Sequence, residues 1–226
     1  MSEPSRALPQ LDVRRHALRE HVLQHSLKTG SFTLKSGRTS NWFLDSKQTA
    51  CRSDGILLVS DVALAILPSE IDAIGGLTMG ADPVAFGIAA VAATRGRTLR
   101  SFSVRKEAKD HGEGGSLVGA PVKGRVVIID DVISAGTSVR ESVKLSRDAG
   151  AEPAAVLIAL DRMEKSGTAT EIGDKSAVQA VEQEFGLPVV AIANLADLMA
   201  FLTASSNAEL TKYLPAVKAY REKYGI

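Results

Sequence analysis

The chain has 226 residues, 45% hydrophobic and 23% charged, with a net charge of +1; that length suits one domain with a real core. The near-neutral balance leaves no basic excess for gripping a nucleic-acid backbone, so a dedicated nucleic-acid binder is not expected. The single cysteine, Cys51, excludes an internal disulfide framework and a cysteine-rich zinc site, and reads as an ordinary thiol.

Residues 1–10 lack the apolar stretch of a signal peptide and read as a loose tail. No run approaches the roughly 20 apolar residues of a membrane span, so a cytoplasmic protein is expected. Leu11 to Thr29 carries apolar residues at helical spacing, with Gly30 where a helix would end. His21 and His25 lie four apart there and could share a face as metal ligands. Without an HExxH context or a nearby carboxylate cluster, a solvated helix face is the expectation. Two short strands, Ser31 to Leu34 and Trp42 to Ser46, flank a polar turn, and Ser53 to Leu67 predicts a helix stopped by Pro68.

From there the chain alternates. Strands are predicted at Ile71 to Ile74, Leu99 to Val104, Arg125 to Ile129, Ala154 to Leu160 and Pro188 to Ala193. Helices are predicted at Gly80 to Thr94, Ser134 to Ala149, Lys175 to Phe185, roughly 195–203 and 207–222. Arg105 to Ser116 reads as a polar, Gly-rich loop. Repeated β-α-β units imply an α/β fold, a central parallel sheet flanked by helices with right-handed crossovers. Ligands on such sheets gather at the carboxyl ends of the strands.

The apolar strand Arg125 to Ile129 ends in Asp130-Asp131, then Val132-Ile133, then Ser134-Ala-Gly-Thr-Ser138. Small residues and hydroxyls at the start of a helix make an anion site that suits a phosphate. The two acids would repel a phosphate and instead suit the vicinal hydroxyls of a sugar beside a divalent cation. The lysine of a P-loop and the spacing of a dinucleotide turn are both missing.

The run VVIIDDVISAGTS closely resembles the signature of the type I phosphoribosyltransferases, which bind 5-phosphoribosyl 1-diphosphate (PRPP). The resemblance assigns the ribose hydroxyls to Asp130 and Asp131, and the 5-phosphate to Ala135, Gly136, Thr137 and Ser138, with Val132 and Ile133 in the same contact run. Arg105-Lys-Glu-Ala-Lys-Asp-His-Gly-Glu-Gly-Gly115 looks like the catalytic loop of orotate phosphoribosyltransferases. Arg105, Lys106, Lys109 and His111 are donors suited to closing over a diphosphate leaving group. Lys109 is the expected chief, and Asp131 also counts as catalytic.

Phe32-Thr-Leu-Lys-Ser-Gly-Arg38, continuing to Trp42-Phe43, resembles the amino-terminal hood of the same enzymes, formed here by about 11–50 within one domain spanning 1–226. The resemblance gives Lys35 to the diphosphate and Phe43 to the face of the pyrimidine. It gives Arg162 to the orotate carboxylate, for which a planar guanidinium is apt, and Ser134 to the base. It further implies Mg²⁺ held mainly through PRPP, a homodimer sharing its catalytic loops, and a place in pyrimidine biosynthesis. The chain departs from many relatives at Met79-Gly80, where a Tyr-Lys pair is common, and at Leu44, which replaces an aromatic. A purine acceptor, or a PRPP-sensing regulator with this fold, are the competing readings. The Arg162 guanidinium and the intact loop speak against them.

Overall fold

A computed structural model describes residues 11–34, 37–109, 115–133, 136–167 and 170–226, with backbone only for 108 and 109. Helix α1 (Leu11–His25) leads into an antiparallel hairpin of β1 (Leu27–Thr33) and β2 (Thr39–Leu44), followed by α2 (Lys47–Ala50) and α3 (Ser53–Ile66). The chain continues through β3 (Ala73–Leu77), α4 (Asp82–Thr94), β4 (Arg100–Lys109), β5 (Gly115–Gly119), β6 (Gly124–Asp130) and α5 (Thr137–Asp148). It then forms β7 (Ala151–Asp161), β8 (Lys165–Gly167), β9 (Ile172–Ser176), α6 (Ala177–Phe185) and β10 (Val189–Asn194). It closes with α7 (Leu195–Ala204), α8 (Ala208–Thr211) and α9 (Leu214–Tyr224).

Six strands form the main sheet in the order β10-β7-β6-β3-β4-β5, every pair parallel except the antiparallel edge β4-β5. Along β6 the side chains alternate between two cores, as the two-residue period of a strand requires. Val127 and Ile129 join a core with α1, α3, α4, α7 and α9, whereas Val126 and Ile128 join one with α5 and α6. Burial on both faces is why this strand reads as an unbroken apolar run. The hairpin β1-β2 is sealed to the first core by Leu27, Trp42 and Leu44.

Several boundaries differ from the sequence reading. Helix α1 ends at His25 rather than Thr29, because Leu27 pairs with Leu44 and Asp45 N–H donates to Ser26 O at 2.9 Å. Gly30 falls at the bulge between Thr29 and Phe32 instead of capping a helix. Gly75 and Gly76 belong to β3 itself, squeezed between β4 and β6. A Cβ on Gly76 would lie 2.0 Å from Ile129 O, and one on Gly75 would lie 2.1 Å from Phe102 O. The first half of the expected loop, Arg105 to Lys109, continues β4, and β5 returns beside it, so the sheet is mixed rather than wholly parallel. The last helix is split, with Pro215 in the first turn of α9. The hairpin β8-β9 has no counterpart among the predicted elements.

Candidate active site

Strand β3 lies between β4 and β6, so the chain departs in opposite directions across the sheet on either side of it. In an open α/β sheet, such a switch point leaves a crevice at the carboxyl ends of the strands. Asp130 ends β6 there, with only 8% of its surface exposed. Its Oδ1 accepts from the Asp131 N–H at 2.9 Å, and Asp131 Oδ1 in turn accepts from the Val132 N–H at 2.9 Å. These local bonds fix both carboxylates at the mouth of the crevice. Asp131 O also accepts from Leu160 N–H at 3.1 Å, tying the end of β6 to the end of β7.

The turn after β3 closes on the same acids. Thr78 N–H donates to Val104 O at 2.8 Å, and the Thr78–Met79 peptide is cis. A Cβ on Gly80 would stand 3.3 Å from Asp131 Oδ1 and 3.6 Å from Asp130 Oδ1. The Met79-Gly80 turn therefore passes directly over the acid pair, with α4 beginning just beyond it. Ser103 Oγ, on β4, donates to Asp82 Oδ1 at 2.7 Å and pins the first turn of α4.

Among the described residues, Lys47 brings a cation to this crevice. From the first position of α2, its Nζ donates to Asp131 Oδ2 at 2.8 Å. Burial pushes the Asp131 carboxyl up, but the Lys47 ammonium and the Val132 N–H outweigh it and hold the carboxyl below its usual range. Burial likewise works against the Lys47 charge, yet Asp131 raises its pKa on balance.

The structure brings together part of the expected set. Gly136 stands at the N-cap of α5 with φ 72°, in the left-handed region that favours glycine. Thr137 and Ser138 open that helix, Thr137 exposed and Ser138 half-buried, and Val132 and Ile133 lie between them and the acids. Arg105 follows Val104, which pairs with Leu77, so β4 runs on past the Thr78 turn at this point. Arg105 is half-buried and Lys106 exposed. Phe43 is exposed on β2, its ring 5.5 Å from that of Phe32, while its neighbour Trp42 is buried. Lys35, His111, Ser134, Ala135 and the side chain of Lys109 lie outside the described residues.

Arg162 follows the end of β7 and is held by a group that sequence reasoning missed. Its Nη2 lies 2.6 Å from Glu164 Oε1, with both side chains largely buried. Tyr220 of α9 donates its hydroxyl to Glu164 Oε2, and burial, followed by that carboxylate, raises the phenol's pKa. Arg38 Nη1 approaches the same oxygen at 3.9 Å, donates to Lys165 O at 2.8 Å, and its Nη2 donates to Ser166 O at 3.1 Å. The Arg38 guanidinium also stands 4.8 Å over the Tyr224 ring. Arg162 is thus set in a frame built from the hood, the segment after β7 and the last helix. Only Arg38 carried a local hint, as the final residue of the hood motif. Lys47 sits on a four-residue helix with no pattern of its own.

The expectation of a solvated face for His21 and His25 is corrected. His21 is buried, and Asp54 of α3 supplies a carboxylate facing it at 3.5 Å. Cys51 is an exposed free thiol. Among the described residues, no helix is long and apolar enough to cross a membrane.

No model of a known protein family matches the sequence. Individual proteins do. The orotate phosphoribosyltransferase of Polynucleobacter necessarius is 60% identical over 205 residues, covering 88% of this chain and 91% of that one. The crystal structure of the Francisella tularensis orotate phosphoribosyltransferase superposes with a TM-score of 0.70 at 30% identity, covering 92% of this chain and 98% of the other. The Mycobacterium tuberculosis enzyme in complex with PRPP gives 0.62 at 26% identity, over 82% and 92%. Identity of this extent over nearly the whole chain, on a sheet with its acids at the switch point, carries one conclusion: the chain belongs to the orotate phosphoribosyltransferase family.

Proposed function

We infer that the protein transfers the phosphoribosyl group of PRPP to orotate, giving orotidine 5′-monophosphate and diphosphate. It acts as a pentosyltransferase of pyrimidine biosynthesis. The observation that carries the donor half is the meeting of Asp130, Asp131, the Thr78–Ala81 turn and the start of α5 at one crevice. Sugar hydroxyls suit the acids, and a 5-phosphate suits the N-terminus of α5 with Thr137 and Ser138. The acceptor half rests on Arg162, whose guanidinium is fixed by Glu164 and suits bidentate pairing with a carboxylate. Purines carry no such carboxylate.

In this reading the ring nitrogen of orotate attacks C1 of the ribose as the C1–diphosphate bond breaks, and the developing charge is oxocarbenium-like. The protein contributes mainly positioning and electrostatic stabilisation of the leaving group. Lys35, Arg105, Lys106, Lys109 and His111 are the proposed donors to the diphosphate, Lys109 chief among them, and Phe43 and Ser134 the contacts to the base. Lys47 is added to this set, since it places an ammonium at the acid pair under a Met79-Gly80 turn that carries no cation. Hard carboxylate oxygens at the crevice mouth fit Mg²⁺, which Asp130 and Asp131 would help hold through the ribose hydroxyls of PRPP. When bound, the ion supplies charge that offsets the diphosphate's.

We further propose a single domain, a cytoplasmic location and a homodimer. The first is supported by the core that the hood shares with the sheet. The homodimer is supported by exposed Leu57 and Phe86 on the adjoining helices α3 and α4, with exposed Met79 near the crevice. The deciding experiment follows absorbance loss of orotate with PRPP, with and without Mg²⁺, against uracil, hypoxanthine and adenine. Mg²⁺-dependent consumption of orotate alone is expected. Consumption of a purine in preference to orotate would overturn the assignment.

A further inference from the structure

His21 and His25 sit four residues apart on α1, with ring centroids 4.4 Å apart, and Asp54 faces them from the first turn of α3. The three residues each offer a ligand atom, and these atoms all lie within 4.8 Å of one another. His21 is the fixed member. Its Nδ1 lies 3.2 Å from Thr49 Oγ1, which in turn lies 2.7 Å from Ser26 Oγ. A Cβ at Gly55 would come within 2.7 Å of His21 Cε1, so the backbone there is packed directly against the ring. Its Nε2 is buried with no hydrogen-bond partner and points toward Asp54 Oδ1 at 3.5 Å. A ring held at Nδ1 with its Nε2 presented to a carboxylate and a second imidazole is the arrangement of a metal-ligating histidine with its supporting bond.

We propose that His21, His25 and Asp54 bind a borderline divalent ion of the zinc type, with water completing the coordination, at a site separate from the substrate crevice. Two imidazoles and one carboxylate suit zinc better than Mg²⁺ or Ca²⁺, which prefer all-oxygen sets. Bond lengths of about 2.0–2.2 Å require the donors to close in from their present spacing. His25 and Asp54 are the more exposed pair and can rotate inward onto the fixed ring. Arg52 is the competitor: it donates to both Asp54 oxygens, at 3.2 and 3.4 Å, and must release at least one. Once bound, the ion would fasten α1 to α3.

The test uses tag-free, full-length protein stripped with chelator, titrated with Zn²⁺ by calorimetry and with Co²⁺ by visible absorption. One ion per chain is expected, with ligand-field absorption stronger than that of aquated Co²⁺ and a rise in Tm. His25→Ala and Asp54→Asn should each weaken Zn²⁺ binding ~10-fold or more, while Arg52→Ala should tighten it by removing the competitor. Both ligand variants alter side chains that are not fully buried, and orotate turnover in Mg²⁺ serves as their folding control. Absence of binding overturns the site. So does binding that survives both ligand variants, or that disappears instead with Cys51→Ser or His111→Ala. These readouts do not depend on which base the enzyme uses.

Discussion

Lys47 and Asp131 lie 2.8 Å apart at the mouth of the crevice, so the charge of each depends on the other. Asp131 is half-buried, and burial alone would raise its pKa; the observed direction is downward because the ammonium wins. A carboxyl depressed in the folded state adds stability above its unfolded pKa of about 3.9, lost as pH falls through the folded value. Lys47→Met removes the cation and leaves the burial, so the Asp131 pKa should rise above the ordinary carboxylate range. The acid limb of kcat/KM for PRPP should then move to higher pH, by about one unit or more given the usual size of such couplings. A pH–rate profile that superposes on wild type would show that Lys47 does not govern Asp131. Little of this pair was legible in the sequence. The acids announced themselves by ending an apolar strand, but Lys47 stands 84 residues away and meets Asp131 only through the tertiary fold.

The elements that the sequence foretold best are those whose side chains face two cores or one clear stripe. Strand β6 and helix α5 follow from an unbroken apolar run, two acids and a small-residue turn, and β7 and β10 repeat the apolar signal. The elements it hid are charged or short. Arg105 to Lys109 extends β4 through backbone pairing at the sheet edge, where polar side chains give no apolar alternation to read. Hairpin β8-β9 is polar for the same reason, yet it carries the carbonyls that hold Arg38. Glu164 lies at its approach and joins Arg162, Tyr220 and Arg38, so it reads as a positioning residue for the Arg162 guanidinium proposed to meet the orotate carboxylate. Glu164→Gln keeps the shape and deletes the charge between two guanidinium groups. Breaking a buried ionic contact on one side costs about 3 kcal/mol, to be read from urea unfolding. The same variant should raise KM for orotate more than it lowers kcat, with KM for PRPP little changed, and Glu164→Asp should partly restore it. Equal losses for both substrates would instead mark Glu164 as a general structural strut.

At the scale of the whole molecule, the open question is whether one chain completes its own site. Arg105 passes beside the crevice within β4, which carries the chain onward to Lys109 before the edge strand β5 returns. The loop cations are therefore rooted away from the centre of the sheet, near the margin where a second subunit could receive them. If the proposed homodimer shares its loops, Lys109 of one protomer serves the acids of the other. Lys109→Ala and Asp131→Asn would each lose activity as homodimers, the former by roughly 10²–10³ as for loss of a charge-stabilising donor. Mixed and allowed to exchange subunits, they form heterodimers with one site doubly defective and the other wholly intact. Random reassortment of a two-fold dimer then restores about a quarter of wild-type activity. A loop acting on its own protomer predicts the reverse: each heterodimer site keeps one lesion, and mixing restores nothing. The rate of recovery should track the rate of subunit exchange, measured independently by fluorescence transfer between labelled chains. Exchange without recovery would place Lys109 in its own subunit's crevice.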